Sequence, residues 1–401
     1  MSKKFHIGLV GKLIIGLVLG IMLGLWAPAP FNRVVVTAST LFSVFLKFVI
    51  PFLIVAFVTM GIADLSQGAG KLLLLTAGMA YISSLVWGTL AFTVSDTIFP
   101  RFVSEMAVHS VSDPESGMLK PFFTILLPPV IDVTSAVVLA FILGLCLSSM
   151  KGETAVLYST FRDFSRVISK VLKTAVIPLL PLYICGTFIN MTVSGQTFMI
   201  LSVLWKVFLT VIILHFTCLL VMYFVAGAVS KKNPFTLMRN QIPGYISAMG
   251  TQSSAATIPV NLRCAESDGV SPEIRNFVIP LCANIHMAGS MITITCCVTA
   301  VLLIYGMPSN LGVIVPFIMT LGIAMVASPG TPGGSIMTAL PFLPIVGIAS
   351  DSTTASLLIA LYITQDSFGT ACNVSGDNSI SVIVDTIYRK FIRGDAPEAE
   401  A

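Results

Sequence analysis

Apolar residues fall in long runs along the chain. Those near 7–28, 36–63, 71–99, 122–149, 171–192, 197–229, 273–305 and 351–388 each reach the roughly 20 residues a helix needs to cross a bilayer. Two further stretches, 234–268 and 309–348, are as long but interrupted. The first carries Gln241, Pro243, Gly244 and Gly250 before a polar tip, and the second is broken by Ser328-Pro329-Gly330-Thr331-Pro332-Gly333-Gly334-Ser335. Backbone without internal hydrogen bonds is tolerated at membrane depth only where protein buries it or it lines a watery cavity. Both stretches therefore read as re-entrant hairpins, and the chain as an all-α polytopic membrane protein of eight transmembrane helices plus two re-entrant helical hairpins.

Composition narrows the function classes. Of 401 residues, 56% are hydrophobic and 10% charged, against roughly 25% charged in soluble proteins. That excludes a water-soluble enzyme and a disordered chain. The net charge of +4 comes from scattered Lys and Arg, without the basic stripe a nucleic acid requires. Eight cysteines show no C-x-x-C spacing and sit mostly in apolar runs, so they read as free thiols. Met1 to Lys4 followed by an apolar run to Ala27 reads as a retained first span, too long for a cleaved signal.

Charge bias supports the hairpins. With Lys3 and Lys4 in the cytoplasm, Lys71, Lys151, Lys231, Lys232, Arg239, Arg263, Arg275, Arg389, Lys390 and Arg393 share that side only if both broken stretches are re-entrant, each leaving by the face it entered. Both termini are then cytoplasmic. Residues 150–173 read as the start of a long, partly interfacial helix, because Arg162, Arg166, Lys170 and Lys173 recur on one face. That face suits solvent or headgroups, with a partner as the alternative.

Residues 276 to 350 contain no Asp, Glu, Lys or Arg, so a site there must use carbonyls, hydroxyls, amides and helix ends. The last span then brings Asp366, Asp377 and Asp385. A carboxylate at membrane depth is costly and points to function. Asp366, Thr370, Asn373 and Asp377 share one helical face, a ribbon suited to a cation and an ammonium group; carboxylates lining a wet cavity, or capping a break at Gly376, are the plainer alternative. The tip Gly250-Thr251-Gln252-Ser253-Ser254-Ala255 suits a half-helix N-terminus aimed at a carboxylate. Broken segments in two parts of one chain point to a transporter site. No Walker loop, nucleophile elbow or zinc-type histidine spacing occurs, so no cofactor is called for. An intramembrane enzyme lacks a base-orienting carboxylate beside His286 and Ser290. His286, inside a span, suits either structural hydrogen bonding or ion or proton coupling.

Gln252 to Pro259, His286-Met287-Ala288-Gly289-Ser290 with Ile292-Thr293-Ile294, Pro329 to Ser335, and Gln365 to Asp377 together resemble the dicarboxylate/amino acid:cation symporter family. The order and spacing hold from residue 7 to about 390 and are most similar to its bacterial sodium/serine-threonine symporter branch. The resemblance implies an elevator-type transporter and a homotrimer in the inner membrane. It implies one domain over 1–400, with scaffold spans at 7–63 and 122–192 and a transport part at 71–99 and 197–390 that includes both hairpins. Asp366 falls where the family binds the substrate α-amino group, Thr370 and Asn373 where it binds polar atoms, and Ser253 and Ser254 where it meets the α-carboxylate. Thr331, Pro332 and Gly333 fall on the hairpin-two gate. Asp377, His286 and the carbonyls of Asn373 and Cys282 fall at one sodium site; carbonyls near Asn284 and at Met325, Val326 and Ser328 fall at a second.

The departures from the family are Gly369 and Gln252, which stand where acidic-substrate members place Arg, and His286-Met287-Ala288, which stands for Asn-x-Asp. Glutamate would bury an unpaired charge, and Gly369 leaves room for a side chain. The expected function is sodium-coupled uptake of neutral amino acids such as serine, threonine or alanine. The alternatives are a proton-coupled or sodium-independent carrier of another small carboxylate or a larger neutral amino acid, and a passive anion channel.

Overall fold

The computed structural model describes residues 9–65, 71–107, 119–131, 133–150, 153–195, 197–325, 328, 333–350 and 352–393. All regular structure among them is helical. The first half comprises α1 (Leu9–Trp26), α2 (Ala29–Leu65), α3 (Lys71–Ile98), α4 (Pro100–Ala107), α5 (Val133–Ser149), α6 (Ala155–Val171) and α7 (Ile177–Val193), with a π-helical turn at Leu172–Val176 joining the last two. The second half comprises α8 (Thr197–Ser230), α9 (Pro234–Thr251), α10 (Ser254–Ser267), α11 (Pro272–Ile285), α12 (Ala288–Ile304), α13 (Leu311–Met325), α14 (Gly334–Ala339) and α15 (Thr353–Ile387), with a 3-10 segment at Leu340–Val346.

Five described segments are long and apolar enough to cross a membrane: Ala29–Ala56, Leu72–Val103, Ala155–Val193, Leu204–Ser230 and Pro272–Ile304. The expected span at 122–149 is helical only from Val133. Pro121, Pro128 and Pro129 withhold backbone donors and disfavour helix before them, and residues 119–131 instead run irregularly across α2. There the Phe122 backbone N–H donates to Thr37 Oγ1 (2.9 Å), and the Arg33 guanidinium lies 4.2 Å from the centre of the Phe122 ring.

Packing sorts the helices into two groups. α2 packs on α5, α6 and α7, and α1 on α7. α15 is surrounded by α8, α9, α10, α11 and α12, while α3 covers α12. Every residue of α12 from Ala288 to Leu302 is buried. A helix apolar all round belongs in the centre. Thr293 and Thr299 donate to the carbonyls four residues back, Gly289 (3.0 Å) and Thr295 (2.8 Å), Ser290 Oγ bonds side chains of other elements, and Thr295 Oγ1 has no hydrogen-bond partner among the described residues. The groups meet where the Tyr183 hydroxyl of α7 bonds the Ser356 hydroxyl of α15. Beside that contact is a cavity of about 140 Å³ lined by Ser39, Thr40, Ser43, Thr187, Asn190 and Thr353 among others.

Candidate functional site

Three interruptions of helix converge on α15. The first is the turn between α9 and α10. Gln252 ends α9 in the left-handed region (φ 53°), and Ser253 caps α10 by accepting from the Ala256 N–H (3.2 Å). Short polar side chains favour such caps. Gln252 Nε2 then donates to Ser367 Oγ of α15 (2.9 Å). Ser254, at the first turn of α10, is buried. Below the tip, polar side chains bind this hairpin to α15: Asn378 Nδ2 donates to Gln241 Oε1 (2.9 Å), and Asn261 Nδ2 donates to the Val374 carbonyl (2.9 Å).

The second interruption divides the seventh apolar stretch. α11 stops at Ile285, His286 is extended (φ −100°, ψ 105°), and α12 begins at Ala288. The exposed N–H groups at the start of α12 find Asn373, whose Oδ1 accepts from Gly289 (2.8 Å) and Ser290 (3.2 Å). Asn373 Nδ2 donates to Ser290 Oγ (2.9 Å). A Cβ on Gly289 would collide with the Gly369 carbonyl and with Cys372 Cβ (2.6 Å), so only glycine permits this crossing of α12 and α15.

The third lies between α13 and α14, the stretch expected from sequence to form the second hairpin. Gly333, just before α14, is left-handed (φ 73°) and donates its N–H to Asp366 Oδ2 (2.7 Å). The other carboxylate oxygen, Oδ1, accepts from the Tyr362 hydroxyl (2.9 Å). Tyr362 also lies 3.2 Å from Ser290 Oγ, which Ser335 of α14 reaches at 3.1 Å. Asp366, Tyr362, Ser290, Ser335 and Asn373 thus form one buried polar chain spanning α15, α12 and α14.

One helical face holds the carboxylates: α15 runs unbroken through Gly376. Asp377 is fully buried and its Oδ1 is hydrogen-bonded to His286 Nδ1 (2.9 Å), so His286 does have an orienting carboxylate, contrary to the expectation from sequence, because α15 brings it from 91 positions away. A carboxylate can only accept, so Nδ1 carries hydrogen and Nε2 faces the Ser83 hydroxyl of α3 (3.1 Å). Asp377 Oδ2 is buried and, among the described residues, has no hydrogen-bond donor; Ser328 Oγ is in the same condition. Oxygen atoms held so, beside unwound backbone, suit a small hard cation. No cluster of three His, Cys, Asp or Glu suited to a transition metal occurs among the described residues. Asp385 is engaged differently, accepting from the Ser271 N–H (3.1 Å) and pairing with Arg389 Nε (3.0 Å).

Among the other site residues expected from sequence, Cys282 and Met325 are buried near the helix ends, and Thr370 is buried one turn after Asp366. Gly369 faces α12, where a Cβ would meet Thr293 Oγ1 at 3.4 Å. The Asn284 side chain is exposed and folds back on the Pro280 carbonyl (2.9 Å), so only its backbone is available to an ion. Val326, Thr331 and Pro332 lie outside the described residues. Tyr362 and Ser83 are not among the site residues expected from sequence, which shows Ser335 only as part of the Gly/Pro-rich break. The signal for Tyr362 is its place four residues before Asp366 on the same face.

The chain is similar to the serine/threonine transporter SstT of Acinetobacter baylyi, with 27% identity over 406 aligned positions, covering 96% of this chain and 98% of the relative. The sodium:dicarboxylate symporter family matches over residues 9–387, nearly the whole chain. Family and relative are transporters and not enzymes, and the chain belongs to the sodium:dicarboxylate symporter family.

Proposed function

We propose that this symporter takes up neutral amino acids of the serine, threonine and alanine type by an elevator motion, coupled to sodium, as a homotrimer in the bacterial inner membrane with both termini cytoplasmic. The observation that carries this is the pair of buried carboxylates on one face of α15, Asp366 under the hairpin-two tip and Asp377 eleven residues on. Asp366 takes the substrate α-amino group, which replaces the Gly333 N–H at Oδ2 and so links substrate arrival to the tip. Thr370 and Asn373 hold polar atoms of the substrate. Ser253 and Ser254, with the first turn of α10, meet the carboxylate. Thr331, Pro332 and Gly333 close over the substrate from hairpin two, and Gly369 leaves its side-chain end without a cationic partner.

Sodium is bound at Asp377 Oδ2 with carbonyls of Cys282, His286 and Asn373. A second ion is held by carbonyls near Asn284 and at Met325, Val326 and Ser328. Ion binding works only through a difference in affinity between open and closed states, and hairpin two supplies that difference. α1, α2 and α5–α7 form the stationary part; α3 and α8–α15 move, breaking the Tyr183–Ser356 contact.

Neutral specificity follows from charge. Among the described residues Asp366 is bonded by the Gly333 N–H and the Tyr362 hydroxyl and by no Arg or Lys, so a side-chain carboxylate placed beside it is unpaired, at a cost of several kcal/mol. The test is uptake of labelled serine by proteoliposomes under an inward sodium gradient, with unlabelled threonine, alanine and glutamate as competitors. Threonine and alanine compete and glutamate does not. Competition by glutamate as strong as by threonine overturns the neutral assignment.

A further inference from the structure

We propose that the basic ridge of α6 is a binding surface for anionic phospholipid headgroups. α6, the π-helical turn and α7 form one continuous helix of 39 residues, Ala155–Val193. At 1.5 Å per residue it is about 58 Å long, nearly twice the ~30 Å of hydrocarbon it has to cross. The stretch from Thr174 to Val193 contains no Asp, Glu, Lys or Arg and is long enough to span the hydrocarbon alone. The residues before it are therefore left at or beyond the headgroup boundary.

α6 shows three distinct faces. Phe164 and Ile168 pack toward the body of the protein, with Phe164 edge-on to Phe52 of α2 (ring centroids 6.5 Å apart). Arg162, Arg166, Lys170 and Lys173 are all exposed along a second face. Between these faces Val156 and Val167 are 80% and 58% exposed. Apolar side chains beside a row of cations are what a helix at the membrane surface offers: the valines meet acyl chains and the cations meet phosphates. The long Lys and Arg stems let heads at different heights reach one headgroup layer. Arg166 is paired with Asp163 (2.8 Å), both well exposed, while no carboxylate among the described residues pairs with Arg162, Lys170 or Lys173. Two copies of this chain meeting ridge to ridge would repel, and a free phosphate has nothing to place against the valines.

The test uses the purified full chain in detergent, with native mass spectrometry counting retained phosphatidylglycerol and phosphatidylcholine. The variant carries Arg162→Gln, Arg166→Gln, Lys170→Gln and Lys173→Gln, and the control carries Lys12→Gln and Arg101→Gln, exposed cations elsewhere. The parent and the control retain phosphatidylglycerol in preference to phosphatidylcholine. The fourfold variant loses that preference by roughly tenfold or more, and raised salt weakens it in the parent. Should the fourfold variant aggregate, Lys170→Gln with Lys173→Gln is measured instead and loses a lesser share. Equal retention by variant and parent overturns the proposal. So does displacement of the lipid by glycerol phosphate at matching concentration, which assigns the ridge to a soluble anion.

Discussion

His286 and Asp377 meet at 2.9 Å with both side chains shut off from solvent, and the imidazole reaches the carboxylate because residue 376 has no side chain. A Cβ there would stand 2.5 Å from His286 Cε1. The ring holds one carboxylate oxygen and leaves the other buried without a hydrogen-bond donor among the described residues. The pair thus fixes the orientation of Asp377 without consuming it.

Gly376→Ala overpacks this contact. Forcing a methyl group into a filled interior costs about 1–3 kcal/mol, and the ring must swing away from Asp377. Thermal unfolding in detergent will show a lowered midpoint, and the sodium concentration giving half-maximal uptake will rise. An unchanged midpoint and unchanged sodium dependence would show that the ring has room to spare.

Tyr362→Phe removes the hydroxyl that donates to Asp366 and touches Ser290. A hydrogen bond to a charged group contributes about 1.5–3 kcal/mol, so the KM for serine is expected to rise about tenfold or more, with the fold intact. Ser290→Ala, which breaks the same chain one step away, raises it less. Serine uptake kinetics for both variants check the order.

Asp268 gives a pH dependence away from the transport site. It sits in the turn after α10, where burial pushes its carboxyl from 3.8 up to about 6, against the pull of the Asn240 and Asn378 amides and the Lys232 charge. Lys232 also donates to its backbone carbonyl. Because the folded value lies above the unfolded one, this group's stabilising contribution is complete below pH 3.8 and is lost as pH rises through 6. The difference in unfolding midpoint between the parent and Asp268→Asn should therefore change between pH 4 and 6 and level off above. A difference that is flat across that window contradicts the shift.

Much of this arrangement was legible in the sequence. Charge-free stretches, Gly/Pro breaks and the four-three-four spacing from Asp366 to Asp377 fall under strong physical constraints at membrane depth, and the turn at Gln252-Ser253 lies where those signals stand, whereas the unwinding at His286-Met287 interrupts a stretch that reads as one apolar run. What was not legible depends on partners distant in the chain. Ser83 facing His286 across 203 positions leaves no local pattern, and neither does the turning of Asn284 away from the interior. The irregular run before Val133 is concealed by its hydropathy, since Phe122 to Val130 are apolar but for Thr124, although Pro121 and the adjacent pair Pro128-Pro129 disfavour a helix there. Of three carboxylates equally costly by sequence, Asp385 is engaged by Ser271 and Arg389, and only the fold distinguishes it from the other two.

The most direct measurement is serine binding by titration calorimetry at increasing sodium, on the parent, Asp366→Asn and Asp377→Asn. In the parent, serine affinity rises with sodium. Asp366→Asn loses serine binding at every sodium concentration, and Asp377→Asn keeps weak binding that sodium no longer strengthens. Parent-like, sodium-enhanced serine binding in either variant would contradict the assignment of substrate to Asp366 and sodium to Asp377.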